Sequence, residues 1–297
     1  MPQAARTVTH ADHSRTSARG RRGHLSALTV RVAATTGMVC ACILCIKAVL
    51  ADDWPGHERL TREQVIAAVA SSSEHARADL SSKNLTGLDL SAVDFKGANL
   101  SATVFNRSDL RRARLANCNL TVSFGEGADF RQADLRGAEM FSMQLAGADL
   151  RGADLTGARF IGDMNHARLE GAVLRNLRGG ADMRNQSMGL MNARFNSAKL
   201  DGADLTGADV SRADFSFAHL SGAKLIGASL MRVDLSGADL SGADLTNADL
   251  RNSTLIDTDF TSAKVSGAKF DGSNWRNVRG LENAAARGAS GVPPQMR

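Results

Sequence analysis

The chain has 297 residues, of which only 4% are aromatic and none is tyrosine, so a globular core of large interlocking side chains is excluded and a narrow, uniform interior is favoured. The net charge of +5 comes from the amino terminus: residues 1–31 carry six arginines and one aspartate, whereas residues 52–297 carry 29 Lys and Arg against 30 Asp and Glu. This nearly neutral body argues against nucleic-acid binding through bulk positive charge.

Residues 1–51 are typical of a secretory leader. Arginines precede an uncharged apolar run at residues 32–46, and Val49 and Ala51 suit the −3 and −1 positions of a cleavage site after Ala51. This run of 15 residues is shorter than the roughly 20 that a membrane-spanning helix needs. The sequence therefore predicts an exported bacterial protein, periplasmic or extracellular, and leaves a membrane-anchored or a cytoplasmic protein as alternatives.

Residues 52–76 are predicted to form a linker and a short N-terminal capping helix. Thr61 and Gln64 match a capping box, in which each side chain accepts a hydrogen bond from the other residue's backbone N–H. Val65, Ile66 and Val69 follow at helical spacing, which predicts a helix over residues 62–72 with one apolar face. Such a helix would cover the exposed end of a repeat array.

A five-residue periodicity runs through residues 77–279. Of the 40 positions whose numbers are multiples of five from Leu80 to Trp275, 34 hold Leu, Ile, Val, Met, Phe or Trp, and Ala occupies 22 of the positions two residues earlier. Asp or Asn often directly precedes the large apolar residue, which we call the centre, and Gly often follows two residues after it. Repeats of this kind predict a solenoid rather than a globular domain.

The pattern resembles the pentapeptide-repeat proteins, whose consensus is A-(D/N)-L-x-x. The resemblance implies an all-β fold, a right-handed quadrilateral parallel β-helix in which each five-residue unit forms one side and four units form a coil, hence about ten coils. The alternation of extended residues agrees: the centre and the Ala point inward and the Asp between them points outward. The Gly supplies the positive φ that a type II turn needs at each corner.

Coils of 20 residues place residue n beside residue n+20, so surface columns can be deduced. One column is acidic, and an arginine follows three of its four aspartates two residues later; the residues are Asp89, Asp109, Asp129, Asp149, Arg111, Arg131 and Arg151. They form either a charge-compensated wall or a site for a cation or a macromolecular partner. A second acidic cluster, eight acidic against three basic residues, lies at residues 201–250 and is either a partner surface or undiluted consensus.

The period is irregular at residues 161–192. The centres shift to Met164, Leu169 and Leu174, then to Met183, and return at Leu190 or Phe195, which predicts two single-residue losses and a two-residue gain. The segment is rich in arginine and is either an interaction surface or a tolerated defect; its candidate residues are Arg175, Arg178 and Arg184. A second irregularity is Gly125, where a centre is missing.

Residues 280–297 are predicted to form a C-terminal cap, with one or two helical turns between Leu281 and Arg287, and a disordered tail. The sequence predicts no enzyme, no catalytic residue, no cofactor and no metal site, because it has no metal-ligand spacing and no phosphate-binding loop. His219 is expected beside Asp239, but serine is so frequent that a His, Asp and Ser coincidence has little meaning.

These features predict a non-enzymatic exported scaffold that binds another macromolecule, a protein, through its flat sides. Nucleic acid is not an expected partner, the membrane is one only through an uncleaved leader, and a homodimer through a terminal end is compatible with the fold. One alternative is the cytoplasmic, DNA-mimicking, topoisomerase-interacting type of pentapeptide-repeat protein; it needs an acidic surface, whereas residues 76–280 hold 25 Lys and Arg against 24 Asp and Glu. Another is a secreted effector.

Overall fold

The computed structural model describes residues 54–73, 76–180, 192–282 and 287–293. The chain divides into two units, Met1–Ala51 and Asp52–Arg297, and every described residue belongs to the second. The predicted leader therefore lies outside the described residues. Within them, no helix is both long enough and apolar enough to cross a membrane.

The regular elements are one helix and six short strands joined by single β-bridges. They are β1 (Glu58–Arg59), α1 (Arg62–Ala70), β2 (Lys83–Asn84), β3 (Glu139–Gln144), β4 (Arg159–Asp163), β5 (Thr254–Ile256) and β6 (Asn274–Arg276). Parallel pairs form between β1 and β2, β3 and β4, and β5 and β6.

Four parallel bridges in one coil define four walls. The outward residues that begin them are Asp79 in the first wall, Asn84 in the second, Asp89 in the third and Asp94 in the fourth, and each pairs with the residue 20 positions later. The bridges continue from coil to coil along the described repeats. The expected four-sided parallel β-helix is therefore confirmed.

Backbone hydrogen bonds run along the axis in both directions. The N–H of the centre Leu110 donates to the carbonyl of Asp129 one coil ahead (2.7 Å), and the N–H of Asp109 donates to the carbonyl of Leu88 one coil behind (2.9 Å). At most described corners the third residue of the turn has a positive φ, which is 70° at Gly87 and 57° at Arg112. Many corners therefore hold side chains that tolerate the left-handed conformation less well than glycine does.

The interior is filled by the centres and by the small residues two positions before them, which are buried along the described repeats. Five of the centres are phenylalanines that are at most 1% exposed; they are Phe95, Phe105, Phe130, Phe195 and Phe215. Because these side chains meet along one axis, the solenoid needs no separate globular core.

Glycine replaces the large apolar side chain at two centres. A Cβ added to Gly125 would lie 2.9 Å from Leu145 Cδ2 and 3.3 Å from Phe130 Cε2, so neighbouring side chains already occupy that space. Gly179 keeps the backbone position of a centre, because its N–H donates to the carbonyl of Asp209 (2.6 Å). Both coils therefore continue without a large side chain of their own at that position.

Helix α1 begins at Arg62 because the capping box is formed as predicted: Thr61 Oγ1 accepts from the backbone N–H of Gln64, and Gln64 Oε1 accepts from that of Thr61. Val65 and Val69 are buried and belong to the same apolar cluster as the first centres. The prediction for Ile66 is wrong: it is 41% exposed, because it lies one position round the helix from Val65.

Residues 54–60, which we call the strap, lie along the second wall. The Trp54 ring packs against Phe124 at 4.6 Å between centroids and against His57 at 5.8 Å. Val104 belongs to the outward column of this wall and is nevertheless fully buried. The strap therefore lies beside an apolar stretch of the second wall's outward column, which holds mostly polar residues in its other coils.

The first irregularity is the loss of one residue. Glu139 pairs with Arg159 and Gln144 pairs with Asp163, so β4 spans five residues where β3 spans six. The next centre is Met164, as the sequence predicted, and it is fully buried. The two predicted centres that follow are also buried; they are Leu169 and Leu174.

The second irregularity is an insertion of eleven residues. Arg178 pairs with Asp209 and Arg194 pairs with Asp214, so 16 residues take the place of five. The expected pattern of two losses and a two-residue gain is therefore wrong. One loss and eleven additional residues restore the five-residue phase, because their sum is two whole repeats. The expected centre Met183 lies outside the described residues.

The C-terminal segment extends the ladder further than expected. Ser290 pairs with Lys269, and Ala289 and Val292 are 8% and 2% exposed. The prediction of a disordered tail after residue 280 is therefore wrong for residues 287–293. Leu281 is buried as a cap residue should be, while residues 283–286 of the expected helical turns lie outside the described residues.

Candidate functional site: the third wall

The outward aspartates of the third wall close the corners that follow them. Asp89, Asp109, Asp129 and Asp149 form a continuous parallel column. Oδ1 of each accepts the backbone N–H of the residue two positions later, at distances from 3.0 to 3.2 Å. This Asx-type bond supports the turn. Sequence analysis assigned these aspartates only an outward orientation, although the position of Asp before a turn is a signal for this bond.

Three arginines pair with the last three aspartates of the column. Nη2 of Arg111, Arg131 and Arg151 lies 2.5, 2.5 and 2.6 Å from the carboxylate two residues earlier. The same guanidinium groups also approach the carboxylate of the next coil, at 3.8 Å from Arg111 to Asp129 and 3.9 Å from Arg131 to Asp149. We call this arrangement the Asp–Arg ladder. It is the charge-compensated wall that the spacing suggested.

The ladder shifts the pKa values of its members in the direction of the charged forms. Hydrogen bonds from the Arg111 side chain hold the pKa of Asp109 below its usual range. Burial alone would raise the pKa of Asp149, but the hydrogen bonds from Arg151 outweigh it and the pKa is lowered. Asp129 raises the pKa of Arg131. Each pair joins one carboxylate with one guanidinium, so the three pairs together carry no net charge.

A shallow groove follows the corner beside the ladder. Small residues alternate in it with arginine and glutamine, and its lining residues are Ser91, Ala92, Arg111, Arg112, Arg131, Gln132, Arg151 and Gly152. Arg112 Nε donates to Gln132 Oε1 one coil ahead at 3.1 Å. The side chains of Arg111, Arg131 and Arg151 remain 50%, 40% and 36% exposed. Their remaining N–H groups can donate to carboxylates or carbonyls of a partner.

The family model "Pentapeptide repeats" matches the chain in eight copies, and the matched residues are 84–176 and 190–277. The chain belongs to the pentapeptide repeat family. No curated protein matches it.

Several solved pentapeptide repeat proteins are similar to the chain. HetL, a protein involved in heterocyst differentiation regulation from the cyanobacterium Nostoc sp. strain PCC 7120, has 26% identity, covers 86% of this chain and 97% of its own, and has a TM-score of 0.41. QnrB1, a plasmid-mediated fluoroquinolone resistance protein, has 21% identity, covers 68% of this chain and 92% of its own, and has a TM-score of 0.40. A pentapeptide repeat protein of the Arabidopsis thaliana thylakoid lumen has 29% identity, covers 43% of this chain and 71% of its own, and has a TM-score of 0.28.

The other candidate residues do not join the Asp–Arg ladder of this pentapeptide repeat protein. Arg175 follows the fourth wall and pairs with Asp204 (2.7 Å), and Arg178 belongs to the first wall and pairs with Glu139 (3.0 Å). Arg184 lies outside the described residues. Arg175 and Arg178 are thus not brought together with the third wall, because successive walls face different directions.

The described residues offer few groups for catalysis or metal binding. His219 forms a parallel bridge with Asp239 one coil later, as the sequence predicted. Burial raises the pKa of the Cys118 thiol to about 12, so this buried thiol is protonated at neutral pH. No group of His, Cys, Asp and Glu among the described residues could hold a metal ion.

The strap is the feature of this pentapeptide repeat protein that sequence analysis missed. Trp54 and His57 stand before the repeats, where no periodicity marks them. A signal was present on the wall itself, because Val104 and Phe124 occupy successive outward positions that hold Asp or Asn in the consensus. Two apolar residues one coil apart on the outside predict that something covers them.

Proposed function

We propose that the protein is an exported, non-enzymatic scaffold that binds another protein through the third wall. The observation that carries the proposal is the Asp–Arg ladder: three guanidinium groups stand at successive coils on one wall, each held by a carboxylate and each still between a third and a half exposed. Arginine is enriched at protein interfaces, where its fork binds carboxylates and carbonyls.

The held geometry favours binding. A free arginine side chain loses about 0.5–1.5 kcal/mol of rotamer freedom when a partner immobilises it. In the ladder this loss has already occurred on folding, because Nε and Nη2 are both hydrogen-bonded to the aspartate two residues earlier. The remaining N–H groups point from a wall whose backbone is fixed by hydrogen bonds on both sides.

Two finer features of the fold belong to this proposal. About ten coils would give a rod roughly 45–50 Å long at the spacing of β-strands. Helix α1 would act as the N-terminal cap, which is supported by the burial of Val65 and Val69 in the same cluster as Leu80. A cap of this kind prevents edge-to-edge pairing of the first coil.

The interaction is tested by comparing copurified proteins from cells that express the chain and its variants. Arg111, Arg131 and Arg151 are together changed to Gln, which removes the charge and keeps much of the side-chain length. A specific partner of the wild type should be lost. The matched control changes Arg136 and Arg251 to Gln, because both form the same clamp, with Asp134 and Asp249, on other walls. A partner lost equally from both variants would contradict the third wall as the site.

Export is supported by the composition of residues 1–51 and is tested by cell fractionation with N-terminal sequencing. A mature chain beginning at Asp52 outside the cytoplasm is the expected result. An intact Met1 in the cytosol would overturn export and would favour the topoisomerase-interacting alternative. The effector alternative predicts the chain in the culture medium or inside a host cell.

A further inference from the structure

The third wall changes character after the Asp–Arg ladder. Its outward column continues through seven successive coils with the order −, +, +, histidine, −, −, +. The residues are Asp149, Arg168, Lys199, His219, Asp239, Asp259 and Arg279, and each is bridged to the next. The order of charges reverses in sign about the histidine.

This reversal makes the column complementary to itself. When two identical rods lie antiparallel, with a two-fold axis across both walls at His219, each column faces its own copy in the opposite direction. Lys199 then faces Asp239, Arg168 faces Asp259 and Asp149 faces Arg279. Each of these pairs occurs twice by symmetry, and all of them join opposite charges.

The neighbouring column adds no repulsion. Its members in the same seven coils are Arg151, Glu170, Asp201, Ser221, Ser241, Thr261 and Leu281. In the antiparallel arrangement each of its three charged residues faces an uncharged one. The other walls lack this property: on the first wall Asp209 would face its own copy, and on the fourth Asp204 would face Asp244.

The two residues nearest the axis have free charges. Lys199 forms no ion pair with any described residue, and Asp239 accepts only the backbone N–H of Ser241, at 2.8 Å. The outer positions are partly used within the chain, since Arg279 lies 2.8 Å from Asp259 and Arg168 lies 3.3 Å from Glu170. Asp149 is also paired with Arg151 at 2.6 Å, as a member of the Asp–Arg ladder. The charges of Lys199 and Asp239 are therefore available to a partner from beyond the described residues.

The shape of the central coils suits a close approach. Phe217, in the same coil as His219, is 62% exposed and stands at the corner where the third wall begins. Five successive turns at the other corner of this wall have no side chain at their third position, because they hold glycine there; the residues are Gly152, Gly171, Gly202, Gly222 and Gly242. An exposed aromatic ring beside the axis would meet its own copy there.

We propose that a second copy of this chain binds the third wall antiparallel, with the two-fold axis at the coil of Phe217 and His219. The contact is lateral and uses residues 149–279, so it differs from a dimer through a terminal end. Six coil spacings make the strip roughly 29 Å long. Because the strip is also narrow, we expect a weak dimer of the small-interface class whose association falls as ionic strength rises.

The test uses charge reversal in the full-length chain, followed by sedimentation velocity at low salt over a range of concentrations. In Lys199→Asp, the aspartate introduced at position 199 faces the native Asp239 of the second copy, twice per dimer. In Asp239→Lys, the introduced lysine faces the native Lys199. Each variant should lower the association constant by about tenfold or more, since attractive pairs become repulsive.

Mixing gives the decisive result. An equimolar mixture of Lys199→Asp and Asp239→Lys should form a one-to-one heterodimer, because both central pairs again join opposite charges. The double variant should also dimerise like the wild type. Positions 199 and 239 are two coils apart in one chain, roughly 9.6 Å, so direct pairing within the chain is not an alternative explanation.

Controls keep folding separate from association. Lys224→Asp lies in the same coil on the fourth wall and should leave the dimer unchanged, while Phe217→Ala should weaken it several-fold without changing the circular dichroism spectrum. A wild-type chain that is monomeric at every concentration would overturn the proposal. So would a dimer that the single variants do not weaken, or single variants that stay monomeric when mixed.

Discussion

The N-terminal and C-terminal parts of the third wall carry the same consensus aspartates and use them differently. Asp109 is clamped by Arg111, which is two residues later in the same chain. Asp239 has a serine at that position and forms no ion pair with the described residues. In both parts the carboxylate supports the corner through the same backbone bond. The residue after the centre therefore decides whether the charge is used inside the chain or remains available.

This difference explains why net charge says little about such a wall. The Asp–Arg ladder is internally neutral although it is dense in ions, because each pair closes within one five-residue unit. The later coils are no denser, but their charges are separated along the axis, so they can act on a second surface. Four changes test the difference between the Asp–Arg ladder and the later coils, in order of decreasing expected effect on the free energy of unfolding.

Removing the carboxylate should cost more in the ladder than in the later coils. Asp109→Ala loses the bond to the Arg111 backbone and leaves the Arg111 guanidinium without its nearest carboxylate, which should lower the free energy of unfolding by about 2 kcal/mol. Asp239→Ala loses only the bond to the Ser241 backbone, about 1 kcal/mol. Urea unfolding followed by circular dichroism measures both. Equal losses would show that the clamp adds no stability.

Removing the charge while keeping the turn separates the two roles. Asparagine can accept the same backbone bond, so Asp239→Asn should change the free energy of unfolding by less than about 0.5 kcal/mol. Asp129→Asn breaks the charge-assisted bonds to Arg131, 2.5 Å away at the closest, and should cost about 1 kcal/mol. The comparison is made by urea unfolding under identical conditions. A larger loss for Asp239→Asn would contradict this division of roles.

Adding an arginine should convert a later coil into a ladder coil. Ser241→Arg places a guanidinium two residues after Asp239, as in the ladder, and should raise the free energy of unfolding by about 0.3–0.5 kcal/mol. In the antiparallel dimer the arginine introduced at position 241 also faces Asp201 of the second copy, so self-association should not fall. Ser236→Arg is the matched control on the second wall and should leave association unchanged. Thermal unfolding and sedimentation velocity report the two effects.

Acid should weaken the ladder gradually. The folded-state pKa of Asp109 lies below its unfolded value, so its contribution is present above roughly pH 4 and is lost as the pH falls through the folded pKa. Screening by solvent limits this to about 0.3–0.5 kcal/mol for one aspartate. Urea unfolding at pH 7 and pH 3 should show a smaller acid loss in Arg111→Gln than in the wild type. A steeper loss in the variant would contradict the sign.

The fold could be predicted from the sequence almost completely because the five-residue period fixes the environment of every position. A residue such as Leu110 has only one place to point, inward, and its neighbours Asp109 and Arg111 then point outward. The period does not explain Gly125 and Gly179, which are centres without a large side chain. The space at Gly125 is filled by side chains such as Leu145, and the coil continues at Gly179 without a large side chain of its own. Their consequences depend on packing between coils.

The candidate site could be predicted only in part. The columns of Asp and Arg followed from spacing alone, whereas the pairing of Arg175 with Asp204 and of Arg178 with Glu139 did not, because it depends on where the irregular coil closes. The strap contact between Trp54 and Phe124 was also beyond the repeat pattern, since it joins a segment without periodicity to a distant coil.

The insertion between Arg178 and Arg194 has a consequence for how such a chain can change. An insertion at this place does not shift the alignment of the later coils, because each coil is aligned by its hydrogen bonds to the preceding coil and not by the number of residues between them. Asp209 pairs with Arg178 and Asp214 pairs with Arg194, although 11 extra residues lie between the two arginines. Corners are therefore positions where chain length is free and wall chemistry is preserved. New sequence can enter there while the surfaces on either side remain aligned.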